Sequence, residues 1–170
     1  MTDRELIEKL KHIVDSAADV IDDAESIKLQ SSAPYSYHDR HRSLPICVVF
    51  PRSTPQIVSI VQLCAKQSCA IVTIAANTSL EGQTVVPPTF HKTRHICLST
   101  SRMKRTELHV EDGDIVCEPG VSFAALDKLL APQGLVFPLD AGPGATVGGM
   151  LACGASGIRA VRCECCLIRM

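Results

Sequence analysis

Two short segments carry residue types and spacing suited to holding an anionic ligand through the main chain. The first, Ala75-Ala76-Asn77-Thr78-Ser79-Leu80-Glu81-Gly82, directly follows a β-branched run at 70–74. Small side chains let the backbone approach a diphosphate, and backbone N–H groups with the Thr78 and Ser79 hydroxyls can donate to its oxygens. A plain polar turn accounts for the same residues, and Ala75 and Ala76 lack the freedom of glycine at positive φ. The second, Gly142-Pro143-Gly144-Ala145-Thr146-Val147-Gly148-Gly149, clusters glycines ahead of a small-residue helix through Met150, Leu151 and Ala152. It has valine at 147 where a Rossmann loop needs glycine, and no Gly-Lys-Ser/Thr of a Walker loop. A tight turn into a closely packed helix would explain it alone. One long anionic ligand explains both segments together.

The elements that must position these loops follow from pattern. Thr2 with Glu5 forms a capping box, and Leu6, Leu10, Ile13 and Ala17 continue one helical face. The segment 31–43, with Pro34, Tyr35, Tyr37, His38, Asp39, Arg40, His41 and Arg42, reads as an ordered loop. Ile46 to Phe50 is a short apolar run typical of a strand covered on both faces, ending at Pro51. Ser53 with Gln56 forms a second capping box, Pro55 fits the first turn, and Ile57, Ile60, Val61 and Cys64 make one face. Ala70 to Ile74 is the next buried strand, which completes a βαβ unit with parallel strands. Beyond Thr84, strands are expected at Ile96–Leu98, Leu108–Val110 and Ile115–Glu118, the last two as a hairpin around Glu111-Asp112-Gly113-Asp114. Ser122 opens a helix facing inward through Phe123, Leu126, Leu129 and Leu130; Gly134 stops it, and Leu135 to Leu139 returns as a strand.

Composition bounds what such a chain does. In 170 residues, 17 Lys+Arg stand against 18 Asp+Glu, giving a net charge of -1 without a long basic run. That removes the electrostatic footprint of a nucleic-acid or anionic-membrane binder, so no nucleic-acid partner is expected. No stretch reaches the roughly 18 consecutive apolar residues of a membrane span. The first thirty residues hold eight acids against four bases, unlike a mitochondrial presequence, so the residues alone point to a cytoplasmic product. Nine cysteines make an odd set. Cys47, Cys64, Cys69, Cys97, Cys117 and Cys153 lie in apolar stretches, where a thiol behaves as a small hydrophobe, as expected in a reducing compartment. Cys163, Cys165 and Cys166 contain one Cys-x-x-Cys pair, short of a four-ligand zinc site, so no metal is expected.

Four motifs in order then carry a family resemblance: Val48-Val49-Phe50-Pro51-Arg52-Ser53-Thr54, Thr78-Ser79-Leu80-Glu81-Gly82-Gln83-Thr84, Pro119-Gly120-Val121, and Asp140 to Met150. Together they resemble the FAD-binding domain of the D-lactate dehydrogenase (cytochrome) and glycolate oxidase flavoproteins, over roughly Ala24 to Arg162. The resemblance implies an α+β fold of the vanillyl-alcohol-oxidase (PCMH) type. In that fold a small parallel α/β subdomain precedes an antiparallel one, here incomplete, with FAD lying between them. It implies pyrophosphate contacts at Asn77, Thr78, Ser79 and Gly82, and a turn beside the cofactor at Pro119 and Gly120. A second segment along pyrophosphate and flavin is implied at Gly144, Thr146, Gly148, Gly149, Ser156 and Gly157. The family usually has glycines at 75–77; asparagine tolerates a left-handed backbone better than alanine does.

The resemblance divides the chain into an N-terminal helix and loop at 1–43, a partial FAD-binding domain at 44–162, and an aberrant Cys-rich tail at 163–170. After Arg162 the family continues with Tyr-Gly and further strands, whereas this sequence turns to Cys163-Glu164-Cys165-Cys166, as a truncated product would. Family enzymes oxidise D-2-hydroxy acids by hydride transfer to FAD, and many are mitochondrial. His38, His41, His91, His95 and His109 sit in no recognisable acid–base motif, so no catalytic residue is assigned. The expectation is a flavin-binding fragment with little or no turnover, its hydroxy-acid substrate belonging to the longer family members. The alternatives are a cofactor-free interaction module on the same fold and an unrelated enzyme using the Cys163 tail.

Overall fold

The structure, a computed structural model, describes residues 1–87, 93–139, 141–142 and 144–155. The Cys-rich tail, Ser156, Gly157 and His91 lie outside them. The chain divides into two compact units, Met1–Arg102 and Met103–Met170.

The first unit opens with α1 (Asp3–Ile13), whose capping box forms as expected: Glu5 N–H donates to the Thr2 hydroxyl, and Thr2 N–H to the Glu5 carboxylate. Ala17 does not continue this helix; Ser16 caps a 3-10 turn at Ala17–Asp19, because its hydroxyl accepts from Ala18 N–H. Two elements escaped the sequence reading, strand β1 (Val20–Ile21) and helix α2 (Ala24–Gln30), the latter capped by Asp23. The loop at 31–43 is ordered around Asp39, which accepts from Ala33 N–H at 2.7 Å and pairs with Arg42 at 2.6 Å.

Strand β2 is only Val48–Val49, shorter than the apolar run around it, although Cys47 and Phe50 are also buried. Helix α3 (Thr54–Lys66) starts at Ser53, but the second capping box does not form. Gln56 instead accepts from Arg52 N–H at 2.7 Å and donates to Asp15 at 2.8 Å. Ile60 and Cys64 are buried and Ile57 packs on the core, whereas Val61 is exposed and Leu63 takes its expected place.

Strand β3 (Ala70–Ile74) has the expected bounds, and β4 (His95–Ser99) joins it in parallel from Ala70↔His95 to Ile74↔Ser99. β4 also pairs in parallel with β2, so the order is β1-β2-β4-β3, with β1 antiparallel. The expected βαβ strands are therefore parallel but separated by β4. That overturns the expected burial of β3. β4 is buried at every position, while β3 is an edge strand with only Ile74 fully buried. Leu6, Leu10, Cys47, Val49, Ile60, Ile96 and Leu98 form the core on one side. Each fully buried aliphatic side chain is worth roughly 1.5–3 kcal/mol, more than a single cap at about 1 kcal/mol.

The second unit contains the expected hairpin, β5 (Thr106–His109) and β6 (Asp114–Cys117), paired from Thr106↔Cys117 to His109↔Asp114. Gly113 in the turn has φ 66°. Helix α4 (Phe123–Leu130) is capped by Ser122 and buries Phe123, Leu126 and Leu130; Leu129 is exposed instead of inward. A 3-10 turn at Ala131–Gln133 follows before Gly134, at φ 69°, ends it. Leu135–Leu139 is not a strand. Phe137 and Leu139 are buried against α4, but no strand pairs with the segment among the described residues. Helix α5 (Val147–Ala152) closes the described region, and Cys153 after it is exposed rather than apolar filling. No helix among the described residues is long and apolar enough to cross a membrane.

Candidate functional site

In open parallel sheets, ligands bind beyond the carboxyl ends of the strands. In the first unit those ends lead to three segments: Phe50–Ser53 from β2, the loop at 75–82 from β3, and the 3-10 turn Thr100–Arg102 from β4. The loop bends sharply at Asn77, which adopts φ 52°. An alanine there would be strained, and asparagine meets the need without glycine. Its Nδ2 donates to the Gln30 carbonyl at the end of α2 at 3.1 Å, which anchors the loop. Its Oδ1 is buried with no hydrogen-bond partner. Since Nδ2 is spent on a carbonyl, the free oxygen is an acceptor and suits a hydroxyl, not a phosphate.

The other loop residues divide by role. Thr78 is exposed. Ser79 donates its hydroxyl to the Gln83 side chain, so it braces the loop first. Gly82 at φ 73° makes a turn, with Val85 N–H on its carbonyl at 2.9 Å. Thr84, which sequence reasoning passed over as a site residue, has a buried hydroxyl without a partner.

Sequence reasoning also missed a buried charge cluster in this unit. Asp19, 1% exposed, accepts from Arg52 Nε at 3.1 Å and pairs with Arg102. The Arg102 guanidinium lies 4.9 Å from the Phe50 ring centroid, a cation–π contact. Asp19 Oδ atoms thus tie the 3-10 turn before β1 to the exits of β2 and β4. Only the Arg52 of the Pro51-Arg52-Ser53 run hinted at it; Asp19 reads as one more acid in a polar start.

In the second unit the structure brings together two motifs far apart in sequence. Gly148 N–H donates to the Pro119 carbonyl at 2.9 Å, Val147 N–H to that of Val121 at 2.9 Å, and Phe123 N–H to that of Ala145 at 2.8 Å. Ser122 and Thr146 face each other in an antiparallel bridge. A Cβ on Gly148 would fall 2.5 Å from the Pro119 Cβ, so this glycine admits the turn against α5. Gly120 is buried, its N–H donating to Met103 O at 2.8 Å. Gly142 and Gly144 are exposed. Thr146, at the start of α5, does not cap it: its Oγ1 is buried and unpartnered. A Cβ on Gly149 would come 3.3 Å from that same oxygen.

A buried hydroxyl left unpaired costs about 1–3 kcal/mol. Thr146 Oγ1 can donate to a phosphate oxygen, while Asn77 Oδ1 can accept from a sugar or ribityl hydroxyl. A dinucleotide offers both kinds of group, so the residues of each unit, taken separately, fit FAD. Among the described residues no group of three His, Cys, Asp or Glu is placed to hold a metal ion.

Comparison with known proteins agrees with this chemistry. A family model described as FAD binding domain matches residues 45–167. The mitochondrial D-lactate dehydrogenase (cytochrome) of Arabidopsis thaliana is 38% identical over 160 residues, 94% of this chain and 27% of that protein. The D-2-hydroxyglutarate dehydrogenase of Stutzerimonas stutzeri is 29% identical over 165 residues, 95% of this chain and 34% of that protein. The chain thus spans about a quarter to a third of the length of the curated relatives it matches. Among solved structures, alkyldihydroxyacetonephosphate synthase superposes with TM-score 0.82 at 20% identity, over 95% of this chain and 31% of that one. p-Cresol methylhydroxylase with substrate bound gives 0.65 at 15% identity, over 84% and 27%. These likenesses show the fold, the vanillyl-alcohol-oxidase (PCMH) type expected from sequence. With the family match running over most of its length, the chain belongs to the FAD binding domain family, whose cofactor is FAD.

Proposed function

We propose that this chain binds FAD through the loop at 75–82 and the segment 144–149, and that it serves the oxidation of a D-2-hydroxy acid as part of a longer protein. The observation that carries the binding role is the buried, unpartnered Thr146 Oγ1 beside Gly149. In this reading Thr146 and Thr78 donate hydroxyl hydrogens to the diphosphate, Asn77 and Gly82 shape the loop, and Ser79 braces it. Pro119, Gly120 and Gly148 hold the second segment in place, Gly149 leaves room for the Thr146 hydroxyl, and Gly144 lets the main chain approach. Ser156 and Gly157 extend the same segment. FAD, when bound, supplies the acceptor for two electrons and the substrate hydrogen.

The substrate class rests on the relatives, named for D-lactate and D-2-hydroxyglutarate. The mitochondrial location printed for the Arabidopsis relative is carried over with it. In this reading the chain alone turns over little or no hydroxy acid. Titration with FAD, followed by flavin fluorescence, tests the binding claim: saturable quenching with Kd no tighter than about 1 μM is expected, and no saturation by about 1 mM rejects it. Rapid reduction of an electron-accepting dye by the FAD-loaded chain on addition of D-lactate would reject the claim of little or no turnover.

A further inference from the structure

The C-terminus of α3 closes in a Schellman motif. Cys69 N–H donates to the Cys64 carbonyl at 3.0 Å, Ser68 N–H to that of Ala65 at 3.3 Å, and Ser68 takes φ 49°. This motif brings the third residue from the helix end against the second residue past the cap, Gln67. Here both are cysteines, 1% and 7% exposed, and the short backbone bond keeps them within the span of a disulfide.

Their surroundings are unlike those of the other buried thiols. The Cys69 sulfur lies 3.7 Å from the Ala70 carbonyl, and hydrogen bonding between the two sulfurs raises Cys64 and moves Cys69 below its ordinary value against the opposing effects of burial and Asp3. The Arg94 guanidinium acts in the same direction on Cys69. Arg94 lies at this spot because Ala70 N–H donates to its carbonyl at 2.8 Å; its Nε pairs with Asp3, and its Nη2 is buried without a hydrogen-bond partner. Burial pushes Cys47 and Cys97, by contrast, up to about 12.

We propose that Cys64 and Cys69 are a modification site, a dithiol that hydrogen peroxide converts to a reversible disulfide. The Cys69 thiolate attacks one peroxide oxygen and the O–O bond breaks, giving a sulfenic acid and hydroxide, which takes up a proton to become water. The Cys64 sulfur then attacks the Cys69 sulfur; the S–S bond forms, the S–O bond breaks, and the Cys64 proton leaves with the hydroxyl as a second water. The two thiols lose two electrons and the peroxide gains them. An added thiol reverses the bond by exchange. The site does not depend on FAD.

The chain provides its own readout, because Lys66 lies between the two cysteines. The folded 170-residue protein is treated with hydrogen peroxide, blocked with N-ethylmaleimide and digested with trypsin without reduction. Peptides 53–66 and 67–92 should appear joined and should separate on adding dithiothreitol. Cys64→Ser should leave Cys69 as a sulfenic acid trapped by dimedone, at least about tenfold faster than Cys47 or Cys97. Recovery of both wild-type peptides as maleimide adducts after peroxide overturns the proposal, and this reading needs no variant to fold. Trapping at Cys69 no faster than at Cys47 overturns its role as the attacking sulfur.

Discussion

The loop after β3 and the segment before α5 are both rich in small residues, yet different constraints select them. In the first unit the constraint is a dihedral angle: Asn77 sits at φ 52°, and its side chain reaches Gln30. In the second it is volume. Gly148 is not among the positive-φ glycines, but a Cβ there would meet the Pro119 Cβ at 2.5 Å. A glycine-poor loop can therefore do what glycine does elsewhere when asparagine meets a backbone need. Nothing but glycine meets a packing need of this kind.

The largest effect that would break this comparison lies at Gly148. Gly148→Val should cost roughly 1–3 kcal/mol or more by overpacking and abolish FAD quenching. Gly142→Ala, with nothing within 4 Å of its Cβ, should leave both unchanged. Equal urea midpoints for the two variants would refute the volume argument. Next comes Asn77→Ala, expected to lose about 1–2 kcal/mol from left-handed strain and about 1 kcal/mol from the bond to Gln30. Asn77→Gly should recover the first part only, which chemical denaturation resolves.

Thr146→Val sharpens the contrast in the other direction. Removing an unpaired buried hydroxyl should leave the cofactor-free melting temperature unchanged or higher, while Kd for FAD weakens about tenfold. A lower melting temperature without FAD would mean that the hydroxyl serves the fold. The smallest effect is pH dependence at the hairpin. His109 is raised above its ordinary value, first by the hydrogen bond to Glu107 and then by Asp114, which lies 2.8 Å away. A raised value in the folded state stabilises fully below the unfolded value near 6.5 and is lost as pH rises through the folded one. The stability difference between wild type and His109→Gln should thus be larger at about pH 5.5 than at about pH 9.

Much of this architecture was legible where local chemistry decides it. Thr2 and Glu5 satisfy each other within one turn, Ser122 caps its own helix, and the turn residues 111–114 set the hairpin. Gln56 shows the limit: the same pattern as Glu5 was diverted to Arg52 and Asp15, partners that only the folded chain brings near. Strand order was hidden for the same reason, since β4 enters between β2 and β3 from twenty residues downstream. Apolar Leu135–Leu139 looked like a strand because burial and pairing leave the same mark on a sequence. At the site, the motifs named nearly every residue discussed, but not the orphaned oxygens, which depend on where neighbouring donors end up. Asp19 left no sequence signal at all, because its partners are 33 and 83 residues away.

That shared carboxylate also bears on motion. With Arg52 and Arg102 both drawing on one buried group, a local opening at the exit of β2 disturbs the exit of β4 and the turn before β1. The three stretches should exchange their amide hydrogens with a single common rate in wild type. In Asp19→Asn they should separate into independent rates, converting one cooperative patch into three frayed ends.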